Sequence, residues 1–514
     1  MWFEEHSWAS NQKMSTLIEK WRDLWSYKVE YFVAACAYVF ATTNFLNLPK
    51  LVLDNGGLAF LAAYAVGLLA IVLPVIILEL TIGQLTGRAP IQAIYNICPV
   101  FKGVGVSQII FSLFVMATMT RFIAYLILYL FHLFWTIIDE RPGLPWLHCK
   151  NFPELQTRPC REAAIIMNLT SAADSVKLST MHDESSLSQF MRFLENPSNS
   201  LADIGNLQYY MLSAQAAVWI IVFFAICFGV RWLGKVITST FLFSLILILV
   251  ICIRGLTLEG AFDMFEVIFS ITDWNLLKDY HLWKLAIEQS ILATGIGFGA
   301  FITIGSYNKR SNNLVSDSFG LLIIHCLFTV IQLATVFSFL GFLSVRTGLE
   351  PSELLDRGET QMWHFLTYLS YISHIKIYSG FVLVMAILVL LNIFFLLGLN
   401  VLASFEDALG VSWSRCFPRF SLAFFVSALG FLMGFYFTTQ AGKYAYELST
   451  GYLKYLTLWT ILTCELIAVA WFYCAHYLGK DLKTMLKSKC CWCLGHFLLF
   501  FTYLIAFIPI VSCC

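Results

Sequence analysis

Long apolar runs separated by short polar stretches recur along nearly the whole chain. Runs of roughly 20 apolar residues match the thickness of the hydrocarbon core of a bilayer. A large apolar soluble core would not repeat such runs, so the pattern predicts an all-α polytopic membrane protein. About eleven transmembrane helices are predicted, near residues 30–53, 58–82, 105–135, 212–230, 234–253, 283–305, 317–345, 377–405, 416–437, 452–476 and 491–512.

The first span is interrupted by polar residues at mid-depth. Thr42, Thr43 and Asn44 follow Ala41 there, and hydrocarbon contains no water to satisfy their polar groups. Pro49 removes a backbone donor a few residues later. We therefore predict a break in this span at residues 41–44.

The sixth span carries a second candidate break. Gly295, Gly297 and Gly299 lie close together in it, and glycine eases unwinding of a helix. Close packing of helices is the alternative use of such glycines. The two breaks occupy corresponding places in two halves of five spans each, which is typical of transporters that bind ions and charged ligands at helix ends.

Basic residues cluster in alternate loops. By the positive-inside rule the N-terminal segment 1–28 is cytoplasmic, and the polar loop 139–206 is outside. The loops expected in the cytoplasm contain Arg88 with Lys102, Arg231 with Lys235, Lys309 with Arg310, Arg415 with Arg419, and Lys480 to Lys489.

The composition narrows the function further. The chain is 59% hydrophobic and only 12% charged, with a formal net charge of zero, so membrane lipids are expected partners and nucleic acid is not. The N-terminus has no cleavable signal peptide pattern. The chain contains no H-E-x-x-H motif, Walker loop or nucleophile elbow, so we do not expect an enzyme.

The outer loop contains two cysteines and a glycosylation motif. Cys149 and Cys160 lie in the same extracytoplasmic segment, where a disulfide is the simplest interpretation and two free thiols the alternative. Asn168 begins the sequon Asn-Leu-Thr on the same side of the membrane.

Several motifs together resemble one family of transporters. Asn44 and Pro49, followed by Asn55-Gly56-Gly57, resemble the first helix of the neurotransmitter:sodium symporters. Residues 254–261 read RGLTLEGA, similar to the loop before that family's sixth helix, and residues 306–309 resemble the exit from that helix. The likeness runs from Arg22 to the C-terminus, so the chain is identified as a divergent member of the family.

This resemblance implies a leucine-transporter-like fold. Such a fold has two inverted five-helix repeats with broken helices 1 and 6, here expected over residues 29–253 and 254–478. Residues 479–514 would form a cytoplasmic loop and helix 11. On this reading the chain ends after that helix, with its C-terminus outside.

The resemblance also assigns two sodium sites, both with fewer side-chain ligands than in the family. Ala293 lacks the hydroxyl that the family has there, His325 replaces an asparagine, and Val401 replaces a serine. The residues matching the first site are Val39, Asn44, Ala293 and His325; those matching the second are Ala37, Phe40, Leu397 and Asn400.

The family resemblance also makes chloride a doubtful cofactor. Tyr64 and Gln289 match two chloride donors of the family, and Thr329 stands where a serine is expected. Ala293 has no group that can donate. The substitution at His325 would attract an anion only if the ring were charged, and a neutral histidine bonded to a neighbour is the alternative.

The expected substrate is an amino acid or a related small amine. Ala41 stands where monoamine transporters have an aspartate and amino-acid transporters a glycine, so amino acids fit better. The substrate-binding positions implied by the resemblance are Ala41, Thr42, Thr43, Met119, Leu292, Gly295 and Gly297.

The gates are altered as well. Arg22 matches the cytoplasmic gate, but its acidic partner aligns with Ser414. Asn47 and Thr450 replace both members of the outer gate. Arg121 lies in the middle of the third span, where a charge costs about 2.5–3.5 kcal/mol; it is expected either to pair with a carboxylate such as Glu79 or to contact an anionic substrate.

Two functions follow from these observations. The first is sodium-coupled symport of an amino acid or related amine across the plasma membrane. The second is a transporter-like protein with lost or weakened ion coupling, acting as a facilitator, sensor or accessory subunit. The missing ligands favour the second reading, whereas Asn44 and the glycines favour the first.

The outer-loop cysteines give a direct prediction. If Cys149 and Cys160 form a disulfide, peptide mapping of unreduced protein will recover the two linked peptides. Recovery of both residues as alkylated free thiols would contradict the pairing.

Overall fold

The computed structural model describes residues 23–40, 42–140, 144–146, 160–161, 184–347, 351, 375–414, 418–453, 457–486 and 489–508. Apart from one pair of two-residue parallel strands, β1 (Cys160–Arg161) and β2 (Glu184–Ser185), the regular structure in these ranges is helical. This agrees with the all-α fold predicted from the apolar runs.

The helices follow one another in the order expected from the apolar runs. Those of the first half are α1 Lys28–Val39, α2 Thr42–Leu46, α3 Leu48–Asp54, α4 Leu58–Gly67, α5 Leu73–Thr86, α6 Pro90–Ile97, α7 Lys102–Ile138, α8 Ser186–Glu195, α9 Tyr209–Ile226 and α10 Val230–Leu256. Those of the second half are α11 Asp263–Ser270, α12 Tyr280–Thr294, α13 Ala300–Ser306, α14 Leu314–Thr347, α15 Ile375–Ser414, α16 Arg419–Gly434, α17 Gly442–Tyr452, α18 Leu458–Leu466, α19 Ala475–Met485 and α20 Lys489–Ile505.

Within the described ranges, eight helical segments are long and apolar enough to cross a membrane. A ninth is the bent pair Leu458–Phe472 and Ala475–Met485, whose axes differ by 79°. The other two predicted spans have a different form: 283–305 is divided between α12 and α13, and 491–512 corresponds to the short helix α20. Length and apolarity therefore support a multi-pass membrane protein.

Both predicted breaks are present. α1 ends at Val39 and the chain resumes as α2 at Thr42, so the first break begins slightly before the polar residues that signalled it. α12 ends at Thr294 and α13 begins at Ala300. Between them Gly295, Gly297 and Gly299 all have positive φ, of 66°, 86° and 74°, which side chains with a Cβ rarely adopt.

The two broken spans lie side by side in the centre. α1 packs against both α12 and α13, and α2 packs against α12. The long helices α10, α14 and α15 pack against α1, α15 also packs against α7 and α13, and α5 lies along α13. Because the breaks are enclosed by protein, their backbone polar groups can be satisfied without water.

The contact between α5 and α13 gives a stability prediction. A Cβ at Gly83 in α5 would lie 2.0 Å from the carbonyl oxygen of Ile302 in α13, and neither backbone can move aside freely. Gly83→Ala should therefore lower the free energy of unfolding by about 1–3 kcal/mol or more. The matched control is Gly103→Ala in α7, where a Cβ would have no neighbour within 4 Å. Equal melting temperatures for the two variants in detergent would contradict the predicted contact.

Candidate functional site

The candidate site lies where the ends of α1 and α12 meet. The Tyr38 hydroxyl, one residue before the end of α1, donates a hydrogen bond of 2.9 Å to the carbonyl oxygen of Gly295. Gly295 follows α12 and its backbone N–H bonds back to Ile291, so it caps this helix in a left-handed conformation. The bond therefore joins the two breaks directly.

Asn44 in α2 lies at the centre of a buried hydrogen-bond network. Its Nδ2 group donates to the Tyr64 hydroxyl at 3.1 Å and to Thr329 Oγ1 at 3.0 Å. Its Oδ1 accepts from Gln289 Nε2 at 2.9 Å. The structure thus brings together one expected sodium ligand and three expected chloride-site residues.

His325 in α14 completes this network. Its Nδ1 lies 2.9 Å from the carbonyl oxygen of Val39, and because a carbonyl only accepts, Nδ1 carries a hydrogen. The Tyr64 hydroxyl lies 2.9 Å from Nε2 and donates to it when the ring is neutral. His325 thus lies beside Val39, and the Tyr64 hydroxyl links it to Asn44.

These contacts decide whether the first site fits sodium. Sodium needs oxygen atoms with free lone pairs directed at one point. Here the Val39 carbonyl faces the His325 N–H, the Asn44 carbonyl oxygen faces the Gln289 amide, and Ala293 contributes no side-chain oxygen. Each of these two oxygens has one of its two lone pairs engaged by a hydrogen donor, so the first site offers sodium fewer free acceptors than the family pattern does.

At the second expected sodium site, the Asn400 side chain is engaged in hydrogen bonds within the protein. Asn400 in α15 donates to the carbonyl oxygen of Phe298 at 2.9 Å and to Ser112 Oγ at 3.3 Å, and its Oδ1 accepts from the Thr303 hydroxyl. Its side chain is therefore directed at the sixth-helix break.

Backbone oxygens at the second site remain compatible with sodium. The carbonyls of Ala37 and Phe40 lie in the last turn of α1 and just beyond it, where helical hydrogen bonds run out. Leu397, in contrast, lies inside the continuous helix α15. The carbonyl groups at the end of α1 are thus the part of this site that fits a hard cation.

The expected substrate positions are only partly visible. Ala41 and the side chain of Thr42 lie outside the described residues. The Thr43 hydroxyl oxygen is buried and has no hydrogen-bond partner among the described residues, so a ligand hydrogen bond is open to it. Met119 and Leu292 are half-buried, and the Tyr446 hydroxyl lies 3.7 Å from the Met119 sulfur.

Gly297, also expected at the substrate site, is bound to a carboxylate. Its N–H donates to Glu79 Oε1 at 2.7 Å, and Glu79 is fully buried in α5. Glu79 therefore holds the sixth-helix break and is not the partner of Arg121 that the sequence suggested.

The carboxylate that pairs with Arg121 is Glu195, at the end of α8 in the outer loop. The Arg121 Nη2 atom lies 3.9 Å from Glu195 Oε1 and also donates to Tyr125, whose hydroxyl bonds Glu195 at 2.8 Å. Arg121 Nη1 donates to the carbonyl oxygen of Phe437. Lys443 Nζ lies 3.3 Å from the other carboxylate oxygen, so two cations share one buried acid.

Other expectations lie outside the described residues: Arg22, Cys149, the Cys160 side chain, Asn168 and the Ser414 side chain. The disulfide, the glycosylation site and the cytoplasmic gate therefore remain predictions.

Sequence reasoning missed Tyr38 and Glu195. Tyr38 stands between Ala37 and Val39, both assigned to sodium sites, and its position one residue before a break was the available signal. Glu195 gave no comparable signal, because the outer loop has no periodic pattern that relates it to α7.

Two broken spans enclosed by long helices, with polar side chains directed at the breaks, define a secondary transporter of the membrane. The chain matches the sodium:neurotransmitter symporter family over residues 22–514. It belongs to that family, whose members are transporters and not enzymes and have the leucine-transporter-like fold.

Three relatives illustrate the similarity. The sodium- and chloride-dependent GABA transporter ine of Drosophila melanogaster is 27% identical over 501 residues, which cover 94% of this chain and 51% of the relative. The glycine transporter 1 of Xenopus laevis is 27% identical over 480 residues, covering 90% and 74%. The GABA transporter 2 of Mus musculus is 28% identical over 477 residues, covering 91% and 76%.

The names of these relatives bear on the cofactors. All three are described as sodium- and chloride-dependent, so the comparisons do not confirm the doubt about chloride. The chain spans about half the length of the Drosophila relative and about three quarters of the other two.

The buried group formed by Arg121, Glu195 and Lys443 predicts that replacing the acid and replacing the arginine will have different effects on stability. Glu195→Gln leaves the buried Arg121 guanidinium without an anion, whereas Arg121→Met leaves Glu195 with Lys443. We expect Glu195→Gln to be the more destabilising change, by about 3 kcal/mol or more, measured by thermal unfolding in detergent.

The matched control is an ion pair at the surface. Arg231 and Asp23 are 67% and 59% exposed and lie 3.9 Å apart, so Arg231→Gln should cost only about 0–1 kcal/mol. If Glu195→Gln were no more harmful than Arg231→Gln, or less harmful than Arg121→Met, the assigned pairing would be wrong.

Proposed function

We propose that this chain is a plasma-membrane symporter with a cytoplasmic N-terminus that carries an amino acid or related small amine together with sodium. Family membership and relatives described as GABA and glycine transporters support the substrate class. The observation that carries the proposal is the meeting of the two helix breaks through the bond from Tyr38 to the Gly295 carbonyl. A buried Thr43 hydroxyl without a partner among the described residues supports it. A carbonyl accepts from an ammonium group, and a hydroxyl can donate to a carboxylate.

We further propose that coupling uses one sodium ion, held by the carbonyls of Ala37 and Phe40. The first site is occupied by hydrogen donors, because the His325 ring faces Val39 and the Gln289 amide faces Asn44. When bound, sodium would supply a positive charge that moves with the substrate down its own gradient. Each charge moved contributes about 2.3 kcal/mol per 100 mV, which corresponds to roughly 50-fold accumulation.

Chloride dependence is proposed to be weak. The three expected chloride-site residues, Tyr64, Gln289 and Thr329, all form hydrogen bonds with Asn44. Gln289 and Asn44 donate within this network, so those groups are engaged by protein acceptors and are not free to bind an anion.

A facilitator with lost coupling is the second candidate. The observation that favours it is the same closed first site, because a transporter that has lost one cation site has lost part of its driving force. It differs from the first candidate in predicting uptake that is equal with and without sodium.

Radiolabelled uptake tests both candidates. Glycine and 4-aminobutyrate should be taken up in proportion to external sodium with a Hill coefficient of about one, and replacing chloride by gluconate should reduce the rate only slightly. A steep two-sodium, one-chloride dependence would contradict the reading of the first site. Uptake independent of sodium would select the facilitator.

A variant makes this test sharper. His325→Asn removes the ring that faces the Val39 carbonyl and supplies an amide oxygen, so the sodium Hill coefficient should rise towards two. His132→Asn, a histidine in α7 next to Phe131 and Phe190, is the matched control and should leave it unchanged.

A further inference from the structure

The C-terminal end of α12 presents backbone acceptors to the interior of the protein. The last four carbonyl groups of a helix have no partner within it, and they carry the negative end of the helix dipole. α12 has 15 residues and ends at Thr294, with Gly295 as its cap. This end is therefore suited to a positively charged hydrogen-bond donor such as an ammonium group.

Tyr38 already occupies the carbonyl of the capping residue that directly follows these groups. Its hydroxyl donates to the Gly295 carbonyl at 2.9 Å. Its ring is fixed edge-on against Phe301, with 5.3 Å between the ring centroids, and only 4% of the residue is exposed. The ring is thus held by packing, whereas the O–H is held by this hydrogen bond and can rotate away without moving the ring.

The contact leaves no room for anything larger than glycine at position 295. A Cβ there would lie 2.8 Å from the Tyr38 hydroxyl and 2.9 Å from two of its ring carbons. The φ angle of 66° independently favours glycine. Tyr38 therefore fills the space directly in front of residue 295.

From this geometry we infer that the Tyr38 hydroxyl is a competitor of the substrate's amino group for the Gly295 carbonyl, and so sets the affinity of the site for amines. Its hydroxyl holds the carbonyl that a substrate ammonium must take, and the substrate displaces the hydroxyl when it binds. The exchange is feasible because a charged donor makes a stronger hydrogen bond to a carbonyl than a neutral phenol does. The inference rests on the proposed function in that the substrate is an amine.

Tyr38→Phe tests this with the smallest possible change. The variant keeps the ring on Phe301 but leaves the Gly295 carbonyl without its donor in the ligand-free protein, so an incoming ammonium no longer has to displace one. Because one such bond is worth about 1 kcal/mol, KM for glycine and 4-aminobutyrate should fall about fivefold with kcat little changed.

Two controls separate this effect from a structural one. Trimethylglycine has the same charges as glycine but no N–H donor, so its affinity should not improve in Tyr38→Phe. Tyr31→Phe removes another buried hydroxyl from α1, one that bonds Asn308, and should change no KM. An equal gain for trimethylglycine, or an unchanged KM for both amines, overturns the inference.

The contact itself can be tested without any transport. Gly295→Ala should lower the melting temperature, and the loss should be at most half as large when Tyr38 is also replaced by Ala, because the atoms that crowd the new Cβ are gone. Additive losses would show that the two residues do not meet, which overturns the inference.

The failure of this inference is distinguishable from failure of the proposed function. Binding is measured on purified protein in detergent, as the shift in melting temperature that glycine or 4-aminobutyrate produces. If Tyr38→Phe gains amine binding while neither protein transports, the competitor role stands and the symporter proposal fails. If the wild type transports amines but Tyr38→Phe gains no affinity, the inference fails and the symporter proposal stands.

Discussion

The structure depends on satisfying the backbone polar groups that the two helix breaks release inside a membrane. Each such group costs several kcal/mol in hydrocarbon if it is left unpaired. Side chains from other positions meet them: the Gly295 carbonyl accepts from Tyr38, the Gly297 N–H donates to Glu79, the Val39 carbonyl accepts from His325, and the Phe298 carbonyl accepts from Asn400. These bonds come from four different helices, so the breaks are held by the whole bundle.

The same bonds limit which ligands the breaks can take. A carbonyl oxygen that accepts from a protein donor has one lone pair fewer for a cation, whereas an open one can offer both to sodium or to an ammonium group. At the first site the donor is the His325 N–H, and the ring is also bonded to the Tyr64 hydroxyl at Nε2. At Gly295 the donor is a neutral hydroxyl on a side chain, which a charged ligand can replace. Ion binding and amine binding are therefore expected to be affected differently by substitutions at the two places.

Much of the architecture was predictable because it follows from local patterns. The apolar runs gave the order of the spans, and residues 42–44 and the clustered glycines located the breaks. The contact of Asn44 with Tyr64 and Gln289 was not predicted, because the motifs assigned them to separate sodium and chloride sites. The predicted partner of Arg121, Glu79, was wrong because the observed partner, Glu195, lies in the polar segment 139–206, and local sequence does not show which span that segment contacts. The direction of Asn400 was missed since a family ligand position says nothing about a competing bond to Thr303.

The substitutions that distinguish this chain from the family pattern are complementary. By the family resemblance, Asn47 and Thr450 are expected to replace both members of the outer gate. Arg121 occurs with a buried acid, Glu195, with which it pairs. If only one member of such a pair were changed, a buried charge or donor would lack a partner. The free-energy cost of that is larger than the cost of losing both members. The altered sites are therefore better understood as sets of residues with a consistent hydrogen-bonding pattern than as isolated losses from a transporter.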